Sequence, residues 1–177
     1  MTEQELLKIH QRRVARIAVS ASAARNQGDS GVVEAAREFL SALDCRRFSE
    51  ASGDGFSAAL DQATEEFCQA LPGKARTWGL SRKLLNIFLR DVLYHSLLAE
   101  PSGLGSVVDQ MEVPLDSITA ERIKKNLPPR TLPAWPGVKN LTPHLSERFQ
   151  LASSEIARDR GVDRVHLDAI WWGAREL

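Results

Sequence analysis

Residues 79–83, Gly-Leu-Ser-Arg-Lys, stand where a short basic turn gives way to a long apolar helix. Leu71-Pro72-Gly73 breaks a helix expected to end at Ala70, and a new helix is expected from Ser81 to about Glu100. Two antiparallel helices around such a turn offer the backbone N–H groups of Gly79, Leu80 and Ser81 at a helix N-terminus. Unpaired donors and the helix dipole together make that a phosphate site. Lys74, Arg76 and Arg82 add positive charge beside it. Lys83 is the unusual member, because a cation in a first turn opposes the dipole. The positive helix end, neighbouring Arg82 and the apolar Leu84, Ile87 and Phe88 all favour its uncharged amine, the nucleophilic form. Further along, Asp116 follows Pro114 and is placed to N-cap a short helix.

The elements that must position these residues read as helices throughout. Val, Ile, Thr and aromatic residues seldom alternate with polar ones, so no strand is expected. The spacing predicts a helix over 3–25, a second from an Asp29 or Ser30 cap to about Leu43, and a third over Phe56–Ala70. SEASGDG at 49–55 reads as a loop, and a short apolar or helical piece runs to Met111. Asp116 opens a helix through Lys125. Residues 127–143 hold five of the chain's eight prolines and form an ordered connection. Thr142 caps a helix over Pro143–Arg160, and Gly161 ends it. A short last helix carries Trp171 and Trp172, only one of which can line a pocket, since adjacent helical residues face different ways. Trp135 reads as a loop anchor, and His95 and His166 as structural histidines.

Bulk composition bounds the function classes. The 177 residues carry 23 basic and 23 acidic side chains, so net charge points to neither nucleic acid nor membrane. Charge is uneven, however. Residues 71–90 and 122–139 are each basic without a single acid, which lets a neutral chain present one basic face. Two cysteines, Cys45 and Cys68, exclude a four-cysteine zinc or iron–sulfur site within the chain and suit a reducing compartment. The four histidines lack metal-ligand spacing, and no metal or cofactor is expected. MTEQELLKIHQRR has no apolar signal segment, and no apolar run approaches a membrane span. A cytoplasmic protein is expected.

Taken in order, these motifs resemble one superfamily. Gly79-Leu80-Ser81-Arg82-Lys83-Leu84-Leu85-Asn86-Ile87-Phe88-Leu89 is similar to the helix–hairpin–helix segment of the DNA glycosylases that include endonuclease III and the 8-oxoguanine glycosylases. Val113-Pro114-Leu115-Asp116-Ser117 resembles the family's later aspartate element. The long helix and loop between Lys83 and Asp116 resemble the archaeal 8-oxoguanine branch, as does Val165-His166-Leu167-Asp168-Ala169-Ile170-Trp171-Trp172 at the C-terminus. The resemblance covers about residues 67–125 and 160–173. It departs from the family pattern at Ser81, which replaces the second hairpin glycine, in the longer hairpin, and in the Ser-Ile that follows Asp116.

The resemblance implies an all-α, helix–hairpin–helix fold of six or seven helices in one compact domain with two lobes. Its parts would be N-terminal helices over 1–70, the hairpin and catalytic segment over 71–125, and a C-terminal extension over 126–177. It implies a base-excision glycosylase with lyase activity, acting as a monomer on double-stranded DNA that holds an oxidised purine such as 8-oxoguanine. Lys83 would be the nucleophile, and Asp116 would stabilise charge developing at the sugar. Asp168, Trp172 and Trp78 would hold the extruded base. Gly79, Leu80, Ser81, Arg76, Arg82 and Lys124 would hold phosphates. Two other readings of the same residues are a DNA-binding relative that has lost catalysis or changed its base, and a helical protein–protein interaction module.

Overall fold

The computed structural model describes residues 1–20, 30–50 and 55–173, with side chains as far as Trp171. Its regular elements are α1 (Glu3–Ala18), α2 (Val32–Ala42), α3 (Arg46–Ser49), α4 (Gly55–Ala70), α5 (Trp78–Tyr94), α6 (Ala99–Ser102), α7 (Ser117–Lys125), α8 (Pro143–Asp159) and α9 (Leu167–Gly173). Short 3-10 turns lie at Gly73–Ala75, Leu104–Val107, Val138–Asn140 and Arg164–His166. No strand occurs among the described residues. The all-helical expectation therefore holds, and the helix count exceeds six or seven because α3 and α6 are single extra turns.

Local sequence explains most boundaries. Thr2 and Glu5 form a reciprocal capping box at the start of α1. Asp116 caps α7 by accepting the N–H groups of Ile118 and Thr119, each at 2.9 Å. Thr142 caps α8, with Pro143 in its first turn. Past its end Gly161 takes φ 66°, and Val162 N–H returns to Ala157 O, as expected of a glycine that stops a helix.

Three boundaries differ from expectation. The first helix stops at Ala18 rather than running to residue 25, and residues 21–25 lie outside the described ones. Ser30 does not cap α2. Gly31 holds that position at φ 90° without a side-chain cap, and Asp29 lies outside the described residues. The long apolar helix begins at Trp78 and ends at Tyr94, not Ser81 to Glu100. The Thr77 hydroxyl oxygen accepts the Leu80 N–H and starts the helix early, and His95 turns extended at its end.

Two apolar clusters form the interior. The larger joins α1, α2, α3, α4 and α5 with Leu98, Leu104, Val107 and Met111. The smaller joins Val113 and Leu115 with α7, Leu141, α8, Leu167 and Trp171. Helix α5 is the strut between them. Leu80, Leu84, Leu85, Phe88, Leu89 and Val92 are buried in the larger cluster, while Trp78 packs on the smaller. Each such buried side chain contributes about 1.5–3 kcal/mol.

Candidate active site

One face of α5 is not apolar. Lys83, Ile87, Arg90, Asp91 and Tyr94 recur at helical spacing and line a cleft of about 910 Å³. Asp116, Ser117, Ile118 and Pro114 close one side of it. Asp168 and Ala169 of α9 close another, with Ile17 and Ala18 of α1, and Trp135 and Val138 of the proline-rich connection. Lys83, Asp116 and Asp168 thus share one cavity, although one long helix and the whole C-terminal half separate them in sequence.

Each charged group has a defined setting. Burial works to lower the pKa of the half-buried Lys83 amine below the usual lysine range, while Asp116 and Asp168 oppose it. Asp116 is held by its cap bonds. Asp168 is buried. One of its oxygens accepts from Arg90, the other from the Thr119 hydroxyl at 3.3 Å. Arg90 also forks onto Asp91, with Nε at 3.0 Å and Nη2 at 2.7 Å. Burial pushes the Asp91 carboxyl up despite Arg90. At the far end of the cleft Tyr94 Oη lies 2.7 Å from His166 Nδ1. Sequence reasoning missed Arg90, Asp91, Thr119 and Tyr94. The spacing of 83, 87, 90, 91 and 94 on one helical face was the signal that could have found all but Thr119.

The expected phosphate grip at 79–82 is corrected. Gly79, Leu80 and Ser81 are buried in the first turn of α5. Thr77 takes two of their donors, its side-chain oxygen accepting Leu80 N–H at 3.4 Å and its carbonyl accepting Ser81 N–H at 3.2 Å. Gly79 is needed for another reason. A Cβ there would meet Val138 O at 2.1 Å and Leu141 Cβ at 2.7 Å. Its missing side chain admits the proline-rich connection against the helix.

Arg82 is likewise turned inward and is 5% exposed. Its Nε and Nη2 donate to Glu112 at 2.8 Å each, and its Nη1 donates to Asp61 at 2.8 Å and to Thr64 at 3.0 Å. Burial works to raise the Glu112 carboxyl, but Arg82, then Asn86 and Arg164, outweigh it and hold the group below the usual range. Four of its five N–H donors are so engaged, and the group is buried away from any phosphate. Residues 82, 85, 86 and 89 share the buried face of the helix, which is why adjacent Arg82 and Lys83 part company.

Trp78 does not line the cleft. It packs on the smaller cluster and lies under the Arg82 guanidinium, 5.2 Å from its centroid. The Trp172 side chain lies outside the described residues. Trp171 is buried in the smaller cluster. Trp135 does both jobs, meeting Phe149 edge to face at 5.4 Å and presenting itself to the cleft. Arg76 and Lys124 are exposed, and neither lines the cleft. Among the described residues no group of three or more His, Cys, Asp or Glu is placed to hold a metal. No helix among them is long and apolar enough to cross a membrane.

No family model, no curated protein and no solved structure matches the chain.

Proposed function

We propose that this protein is a DNA base-excision glycosylase with lyase activity, acting on an oxidised purine such as 8-oxoguanine. The observation that carries the reading is the convergence of Lys83, Asp116 and Asp168 on one cleft. A base extruded from the duplex needs a cavity of its own, and unstacking it costs a few kcal/mol. The lone pair of the uncharged Lys83 amine would form a C–N bond at the sugar's anomeric carbon. The glycosidic bond would break, and its electron pair would leave with the base. Loss of the amine proton and ring opening give a Schiff base. Removal of a C2′ proton then expels the 3′ oxygen and cuts the strand. Asp116 would stabilise cationic character at the sugar, which a carboxylate fixed in advance does without reorganising. Burial already inclines Lys83 toward the neutral amine. Trp135 offers an aromatic face within the cavity where Trp78 does not.

The test is borohydride trapping on duplex DNA containing 8-oxoguanine or an abasic site. A covalent protein–DNA species is expected with the native chain and none with Lys83→Gln. A native chain that binds these duplexes but never traps would overturn the lyase assignment. A second reading, a relative that takes a different base, is favoured by one observation: Arg90 and Thr119 already bond to Asp168. Trapping on abasic DNA together with indifference to 8-oxoguanine would select it.

A further inference from the structure

Asp116 reaches the cleft on a stretch of chain with no helix or strand of its own, residues 111–116. Buried backbone in that state must find hydrogen-bond partners elsewhere. Side chains from two elements supply them here and at Gln110 just before it, and a third element grips a side chain of the segment. Gln150 of α8 pairs with Val113 on both sides of the residue: its Nε2 donates to Val113 O at 2.8 Å, and its Oε1 accepts Val113 N–H at 3.2 Å. The amide thereby does what a neighbouring strand would do. Arg164, in the turn before α9, donates from Nη2 to Gln110 O at 2.7 Å and from Nε to Met111 O at 3.0 Å. Glu112, between them, is gripped by Arg82 and Asn86 of α5. Val113 and Leu115 are buried. Neither Gln150 nor Arg164 lines the cleft.

We propose that Gln150 and Arg164 are positioning residues that hold the Asp116 carboxylate opposite Lys83. The inference rests on the reading above only in taking Lys83 and Asp116 as a working pair. Between Val113, clamped by Gln150, and Asp116 lie two residues, one of them Pro114 with its fixed φ. The Asp116 side chain is in turn bonded to the first turn of α7. Clamping residues 110–113 therefore fixes where the carboxylate stands and where α7 begins. Releasing the clamp lets both drift by amounts that matter to a reaction, where misplacement of about 1 Å can cost roughly a hundredfold in rate.

The experiment uses Gln150→Glu, which keeps the shape and the acceptor but cannot donate to Val113 O, and Arg164→Lys, which keeps the charge but loses the two-carbonyl grip. The Lys83 amine is titrated in each by reductive methylation over a pH series, read at the Lys83 peptide by mass spectrometry. Asp116→Asn serves as reference. Asp116 and Asp168 are the charges that push the pKa of this amine up against the larger, opposite effect of burial. Both positioning variants are expected to shift the Lys83 titration to lower pH, in the direction of Asp116→Asn. Both should also slow trapping on abasic DNA by about ten- to a hundredfold. Arg47→Gln, which cuts a surface pair with Glu66, perturbs stability alone and should move neither readout. Folded variants whose Lys83 titrates as in the native chain overturn the proposal, and so does an Asp116→Asn that leaves it unmoved. If Gln150→Glu does not fold, Arg164→Lys decides. If the native chain never traps DNA, the glycosylase reading fails while the amine titration still judges the positioning.

Discussion

Arg82 and Glu112 form a two-pronged ion pair inside the protein, with both nitrogen–oxygen distances at 2.8 Å. The pair bridges α5 and the segment that leads to Asp116. It makes Arg82 a structural residue although the next residue, Lys83, faces the cleft.

Removing one partner of a buried pair leaves an uncompensated charge, which costs about 3–5 kcal/mol. Arg82→Ala is expected to lose that much in urea unfolding. A phosphate-binding arginine at the surface would lose almost none and would instead change the salt dependence of DNA binding. The native chain carries a matching acid signature. The Glu112 carboxyl is held below its ordinary value of 4.5, so the stability it contributes is present above that pH. It is lost as pH falls through the lower, folded-state value. Unfolding midpoints measured from pH 6 downward should show the loss, and Glu112→Gln should flatten it.

Lys83 has the opposite sign. Its folded pKa lies below the ordinary 10.5, so at neutral pH the folded state bears the penalty of a half-buried cation. Lys83→Met is therefore expected to be more stable than the native chain at pH 7. The difference should shrink as pH rises toward 10.5, where the unfolded lysine also loses its proton. Thermal melts of both proteins over that range check it. Equal stability at every pH would refute a depressed Lys83.

Asp116 serves as cap and as cleft carboxylate, and substitution separates the roles. Asp116→Ala loses both cap bonds and should cost about 1 kcal/mol. Asp116→Asn keeps a capping oxygen without the charge, so its unfolding midpoint should stay near native. Its trapping rate on abasic DNA should still fall. Parallel losses in stability and trapping across the two variants would show that capping is the whole of its role.

Gly79→Ala places a methyl group 2.1 Å from Val138 O. The connection at 138–141 must then move off α5, an overpacking that costs typically about 1–3 kcal/mol. Val138 and Trp135 line the cleft, so Trp135 fluorescence should report the shift along with the lower melting midpoint.

How much of this was legible in the chain depends on the range of the interactions. The all-helical architecture, the Thr142 and Asp116 caps and the glycine stop at 161 rest on contacts within a few residues, and the sequence by itself determined them. It also singled out Lys83, Asp116 and Asp168 as residues worth bringing together, through the order of motifs rather than through any local force. What it could not determine was direction. Arg82 and Lys83 are adjacent and both basic. Only the placement of Glu112 and Asp61 draws one inward, and those carboxylates arrive from other elements. Gly79 read as a phosphate cradle because a glycine at a helix start is locally consistent with one. The approach of Val138, a contact made across the fold, gives it its role. Trp78 lost its expected place in the cleft for the same reason, since the smaller apolar cluster claims its ring. Helix identity follows from backbone propensity and capping. Which face of a helix meets solvent, core or cleft is decided by partners remote in sequence, and tertiary packing alone supplies them.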